Sequence, residues 1–98
     1  MAVTAFLDLH LRADALDRAP EAIAAILKDT RAFEGSLGLE VLEDLADPTH
    51  LTVVERWESA EHDAAYRAWR ATPEGASNLG ELLAEPPTLV LYGTQSTF

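Results

Sequence analysis

The hydrophobic period of this chain changes from two to 3.6 and back, twice, and few folds satisfy that order. "VTAFLDLHLR" alternates strictly, with Val3, Ala5, Leu7, Leu9 and Leu11 on one side and Thr4, Phe6, Asp8, His10 and Arg12 on the other, as a strand with two unlike faces does. Asp14 or Asp17 is placed to cap a first helix, and Pro20 suits its first turn. Ile23, Ile26, Leu27, Thr30 and Phe33 then recur at helical spacing until Gly35. "LGLEVLED" alternates again, and "LADPTH" supplies turn residues before a third strand, "LTVVERW". Ser59 is an N-cap candidate for a second helix over "AEHDAAYRAWRAT", which Pro73 and Gly75 interrupt. A short helical piece, "NLGELLAE", ends at Pro86 and Pro87, and "TLVLYGTQ" reads as the fourth strand.

The order βαββαβ predicts an α+β, ferredoxin-like sandwich, an antiparallel sheet with both helices on one face. With 98 residues, 48% of them hydrophobic, the chain buries one core, so residues 1–98 are read as a single domain. The other sheet face carries Phe6 and His10 among polar groups and has no cover within the chain. A second copy is the expected cover, two sheets face to face in a two-fold homodimer.

Charge narrows the partners. Seven basic residues against 17 acidic give a net charge of −10 with no basic run, which opposes binding to a phosphate backbone and so to nucleic acid. Cysteine is absent, which excludes disulfides, thiolate metal sites and cysteine nucleophiles together. No stretch approaches the roughly 18 apolar residues of a membrane span, and "MAVTAFLDLHLRAD" is not a leader, so no membrane partner is expected and the cytoplasm is the expected compartment. Three scattered histidines form no i, i+4 pair, so no metal site is expected; His10 and His50 read as structural. "GASNLG" lacks the spacing and the preceding strand of a phosphate loop.

Chemistry concentrates where strand three enters helix two. His62, Tyr66 and Trp69 lie at i, i+4 and i+7 and share a helical face, with Ala65 between them. Leu51, Val53, Glu55 and Trp57 share a strand face. If Trp57 looks toward the helices, Glu55 does too, and a carboxylate there needs a wet pocket or a partner such as Arg67 or Arg70. Trp57, Tyr66 and Trp69 read first as a packed core and second as walls of a pocket.

"FEGSLGLEVLEDLADPTHLTVVERWESAEHDAAY" resembles the central signature of the antibiotic biosynthesis monooxygenase family: a Gly closing helix one, a strand, an Asp-Pro hairpin, then Glu55, Trp57 and Ser59 leading into helix two. The likeness runs over nearly the whole chain, through "EPPTLVLYG". It implies a dimeric α+β barrel that oxidises phenolic, anthrone or quinol-like aromatics with dioxygen, using no metal, flavin or other cofactor. On that resemblance His62 is the candidate base, Glu55 orients its imidazole or polarises a substrate hydroxyl, and Tyr66 completes the catalytic set. Trp57, Trp69 and Leu7 are then the expected substrate contacts, in a pocket between helix two and the sheet. Many members carry a His where Tyr66 stands, and here the His lies one turn earlier, at His62. Haem-degrading relatives carry an Asn where Leu7 stands, a Trp where Tyr66 stands and a later His on helix two, none of which this chain has, so a haem function is not expected. Two further classes stay open: a non-oxidative isomerase or cyclase with His62 or Glu55 as proton shuttle, and a small-molecule-binding dimer without chemistry, favoured if the three aromatic side chains pack solid. Oxygen dependence separates the first from the monooxygenase reading, and pocket volume separates both from the second.

Overall fold

The computed structural model describes residues 1–98, as β1 (Val3–His10), α1 (Ala19–Ala32), β2 (Ser36–Asp44), β3 (Asp47–Trp57), α2 (Ala60–Arg70) and β4 (Thr88–Gly93). Two 3₁₀ turns, Ala13–Ala15 and Leu79–Leu82, precede α1 and β4. All strand pairs are antiparallel and lie in the order β2-β3-β1-β4, the ferredoxin-like arrangement, with both helices on one face of the sheet. The slab measures 39 × 38 × 19 Å, two layers thick.

Alternation decides what each strand buries. Ala5 and Leu9 of β1 and Val53, Glu55 and Trp57 of β3 point under the helices and are at most 1% exposed. Phe6, Asp8 and His10 sit opposite Val54, Thr52 and His50 on the uncovered face. The larger core cluster joins Leu9, Leu11 and Val53 to Ile23 of α1 and to Leu82 and Leu83, with Leu7 packed partly buried against it. A second, aromatic cluster holds Ala5, Trp57 and Tyr66, with Phe33 and Trp69 against it.

Several local expectations need correcting. Neither Asp14 nor Asp17 caps α1; Arg18 stands at its N-cap without a side-chain bond, because Asp14 is engaged by Arg12 in the preceding 3₁₀ turn. Strand three starts at Asp47, four residues before "LTVVERW", and the turn is only Leu45–Ala46. Asp44 accepts the Ala46 amide at 2.8 Å and Asp47 accepts that of Thr49 at 2.9 Å, which tightens the hairpin. Pro48 is tolerated because β1 pairs with β3 only from His50 onward. Ala65 is exposed rather than lodged between His62 and Tyr66.

Candidate functional site

Ser59 caps α2 as expected: its Oγ accepts the His62 amide at 3.1 Å and lies 2.7 Å from His62 Nδ1. The His62 ring also closes over Gly35, where a Cβ would stand 2.3 Å from it. His62 is therefore tied to the start of its own helix and to the α1–β2 connection, and it is partly buried.

One helical turn on, Tyr66 is 3% exposed. Its hydroxyl lies 2.6 Å from Thr30 Oγ1 of α1 and accepts Arg70 Nε at 2.7 Å. Arg70 also donates to the Ile26 and Gly75 carbonyls at 2.9 and 3.1 Å, stapling α2 to α1. The Tyr66 ring centroid lies 4.9 Å from that of Trp57 and 5.3 Å from that of Phe33, and Phe33 is 5.4 Å from Trp69. Beneath α2, the buried Glu55 Oε1 accepts Arg67 Nη2 and, at 3.2 Å, Trp57 Nε1. Arg67 also donates to the buried Asp63 at 3.0 Å. Glu55 Oε2 and Arg67 Nε have no partner.

These contacts leave no space between α2 and the sheet. The structure has five cavities, and none is lined by Leu7, Glu55, Trp57, His62, Tyr66 or Trp69. Glu55, Trp57, Tyr66 and Trp69 are brought together, but as packed rings over an ion pair. His62 makes no hydrogen bond to Glu55 or Tyr66, and Leu7 belongs to the other core cluster. No cavity opens on this side in the single chain, where four rings and the Arg67 side chain pack between α2 and the sheet.

Open space lies instead under α1. A cavity of about 470 Å³ sits between α1 and the β2–β3 hairpin, walled by Leu16, Ile23, Leu27, Val41 and Leu51, with Glu43 as its one ionisable residue. Val41 and Glu43 face it because alternation along β2 turns them to the helix side, opposite Val53 and Leu51. Ala19 and Ala24 keep the α1 wall low. The size is within the range of small-molecule sites, roughly 300–1,000 Å³. Sequence reasoning did not single this site out; its one visible signal was the Ala-rich opening of α1, "APEAIAA", too small to fill the gap to a strand.

A third cluster occupies the uncovered sheet face. His50 Nδ1 bonds Asp44 at 3.0 Å and Nε2 bonds Asp8 at 3.3 Å, while Thr52 donates to Asp8 at 2.6 Å. His10 stacks on His50 with centroids 4.6 Å apart, and its Nε2 lies 3.7 Å from Glu85. Asp44 and then Asp8 raise the His50 pKa above its ordinary 6.5. The Thr52 hydroxyl first, then His50, holds Asp8 below the usual carboxylate value, and His50 does the same for Asp44. Both histidines thus have structural contacts on this face. No group of His, Asp and Glu side chains is arranged to hold a metal ion, and no helix is long and apolar enough to cross a membrane.

Comparison with known proteins comes to the same architecture. A family model described as antibiotic biosynthesis monooxygenase matches residues 2–76. Among solved structures, a candidate antibiotic biosynthesis monooxygenase from Nitrosomonas europaea superposes with a TM-score of 0.78 at 21% identity, over 98% of this chain and 100% of the other. The Rv0793 protein of Mycobacterium tuberculosis gives 0.79 at 21% identity, over 99% and 98%. A conserved protein from Methanosarcina mazei Go1 gives 0.77 at 18% identity, over 94% and 91%. At these identities the likeness is one of fold. No curated protein matches the sequence.

Proposed function

We propose, since the chain belongs to the antibiotic biosynthesis monooxygenase family, that it is a cofactor-independent monooxygenase of the cytoplasm, which oxidises a phenolic, anthrone or quinol-like aromatic with dioxygen. The observation that carries the proposal is the apolar cavity of about 470 Å³ under α1, with a single carboxylate on its wall. It is an apolar space of the right size for a flat, fused-ring molecule, open to solvent along one side.

The substrate lies between Ile23 and Leu27 of α1 and Val41 and Leu51 of the hairpin, with its hydroxyl toward Glu43. Glu43 accepts the hydroxyl proton and, being exposed, returns it to solvent. The phenolate gives one electron to dioxygen, and the resulting superoxide recombines at the ring carbon para to the oxygen. The peroxide O–O bond then breaks: one oxygen stays as the new carbonyl, the other leaves as water, and the proton on that carbon departs. Phenol plus dioxygen thus gives quinone plus water, and anthrone plus dioxygen gives anthraquinone plus water. The protein contributes the base and the orientation of the ring against the apolar wall. On this reading Glu55, Trp57, Tyr66 and Trp69 frame α2 on the sheet, and His62 belongs to the cap of α2. A homodimer through the uncovered sheet face completes the assembly.

Oxygen isotope transfer tests the chemistry. Anthrone incubated with the protein under ¹⁸O₂, above its spontaneous rate, is expected to carry one ¹⁸O atom into anthraquinone, with the other in water. The absence of any protein-dependent uptake, with anthrone still bound, would establish the second reading instead, a binding dimer without chemistry. One observation favours that second reading: a lone carboxylate is the only ionisable group on the cavity wall.

A further inference from the structure

The α1 cavity does not end at Leu27. A second cavity of about 540 Å³ shares Ala24 and Leu27 with it and continues toward the C-terminus of α1, where Lys28, Arg31 and Gly38 line it. Ala24, Lys28 and Arg31 fall at i, i+4 and i+7, so the two cations stand in line on the helix face that borders the groove. Opposite them β2 is bulged between Ser36 and Gly38. Gly38 has a φ of 112°, a conformation that other residues rarely take, and nothing lies within 4 Å of the place a Cβ would occupy. The bulge leaves the cationic end of the groove open.

The charges around that end are unusual for this chain. It has only seven basic residues against 17 acidic ones. Arg12 is held by Asp14, Arg18 by the Asp14 carbonyl, Arg67 by Glu55 and Asp63, and Arg70 by Tyr66, Thr30 and two backbone carbonyls. Arg56 pairs with Thr4 in the β1–β3 register and lies on the opposite sheet face. Lys28 and Arg31 alone border the groove, and neither makes an ion pair or hydrogen bond in a protein with a large excess of carboxylates. The macrodipole of α1 favours a cation in its last turn but does not require two of them over a cavity.

We propose, resting on the reading of the α1 cavity as the substrate site, that the groove takes an elongated aromatic acid, with its ring system in the apolar half and its carboxylate at Lys28 and Arg31. Glu43 at the far end sets the orientation, since it accepts a hydroxyl and repels a second carboxylate. Gly38 and Glu43 are five residues apart on β2, roughly 17 Å of strand, which is the length of a fused-ring system with a short acidic side chain. A guanidinium beside an ammonium is a good match for such an end group. The net charge of −10 works against any anion, so the preference must come from these two residues.

The test uses a matched fluorescent pair, 3-(2-anthracenyl)propionate, whose side chain extends the long axis of the rings, and the corresponding alcohol, with binding followed by anisotropy. At low salt the whole protein is expected to bind the acid about fivefold more tightly than the alcohol, a preference that shrinks as salt screens it. The Lys28→Gln/Arg31→Gln variant, changed only at exposed positions, is expected to lose or invert the preference while its affinity for the alcohol stays within about twofold of wild type. Equal affinities in the wild type, a preference retained by the double variant, or no binding of either probe would each overturn the inference. Binding is read without turnover. An acid preference with no oxidation would therefore keep this inference and remove the monooxygenase reading, and oxidation without an acid preference would do the reverse.

Discussion

Tyr66 shows how one atom decides a residue's role. Its ring repeats the helical spacing that sequence makes visible, but its hydroxyl meets Thr30, 36 residues away, and Arg70, and both partners tie helices together. Tyr66→Phe keeps the ring but removes the acceptor of Arg70 Nε and one partner of Thr30, so it is expected to lower unfolding free energy by about 1–3 kcal/mol in a urea titration, with oxygen uptake unchanged. That Glu55 needs a partner follows from strand alternation alone; that the partner is Arg67 rather than Arg70 depends on how α2 is rotated on the sheet, which no spacing specifies. His50 carries the pH dependence. Its pKa is raised by Asp44 and Asp8, so the stability it contributes is fully present below 6.5 and is lost as pH rises through its higher folded value. Asp8 and Asp44 have lowered values, so their contribution is present above 3.8 and is lost as pH falls through the lower folded ones. The melting temperature of wild type relative to His50→Gln is therefore expected to be greatest between about pH 4 and 6.5 and to shrink toward pH 9. A difference that stays flat across that range would remove the bonds of His50 to Asp44 and Asp8 from the account of stability.

At the scale of elements, order, type and pairing were legible, because period-two and period-3.6 patterns alternate cleanly and Gly35 and Ser59 punctuate them. Boundaries were less so where local side-chain bonds shift them, as at the Asp44–Asp47 turn and the uncapped start of α1. The α1 cavity was illegible for a different reason: it is set by small residues on α1 facing β2 across a gap, and a missing side chain leaves no pattern. The α1–β2 connection gives an element-scale test. Gly35 has a φ of 90° and its α-hydrogen abuts the His62 ring, so Gly35→Ala meets both backbone strain and a clash. It is expected to cost about 2 kcal/mol or more, part of it recovered by His62→Ala in the same chain, as a double-mutant cycle would read directly.

As a single chain the whole molecule exposes more surface than its mass calls for. Its accessible surface is 6306 Å², about 800 Å² above the roughly 5,500 Å² expected of a folded monomer of 10.7 kDa. That excess is close to what each partner buries in a standard interface. The bare sheet is part of it: Phe6, Leu42, Val90 and Tyr92 on the uncovered face are 40–51% exposed, and on β4 even the helix-side Leu89 and Leu91 are 41% exposed. A sedimentation mass of two chains at micromolar concentration is expected, and a single-chain mass would leave this apolar surface unexplained. The central claim is that substrate meets the groove under α1 and not the aromatic core under α2. Oxygen uptake with anthrone, corrected for its spontaneous rate, separates the two when wild type is compared with Ala24→Phe, which fills the groove from an exposed position, and with His62→Ala. Ala24→Phe is expected to lose at least about tenfold in rate without loss of stability, and His62→Ala to stay within about twofold of wild type, short of the 10² or more that removal of a general base produces. Full activity in Ala24→Phe together with a collapse in His62→Ala would contradict the account.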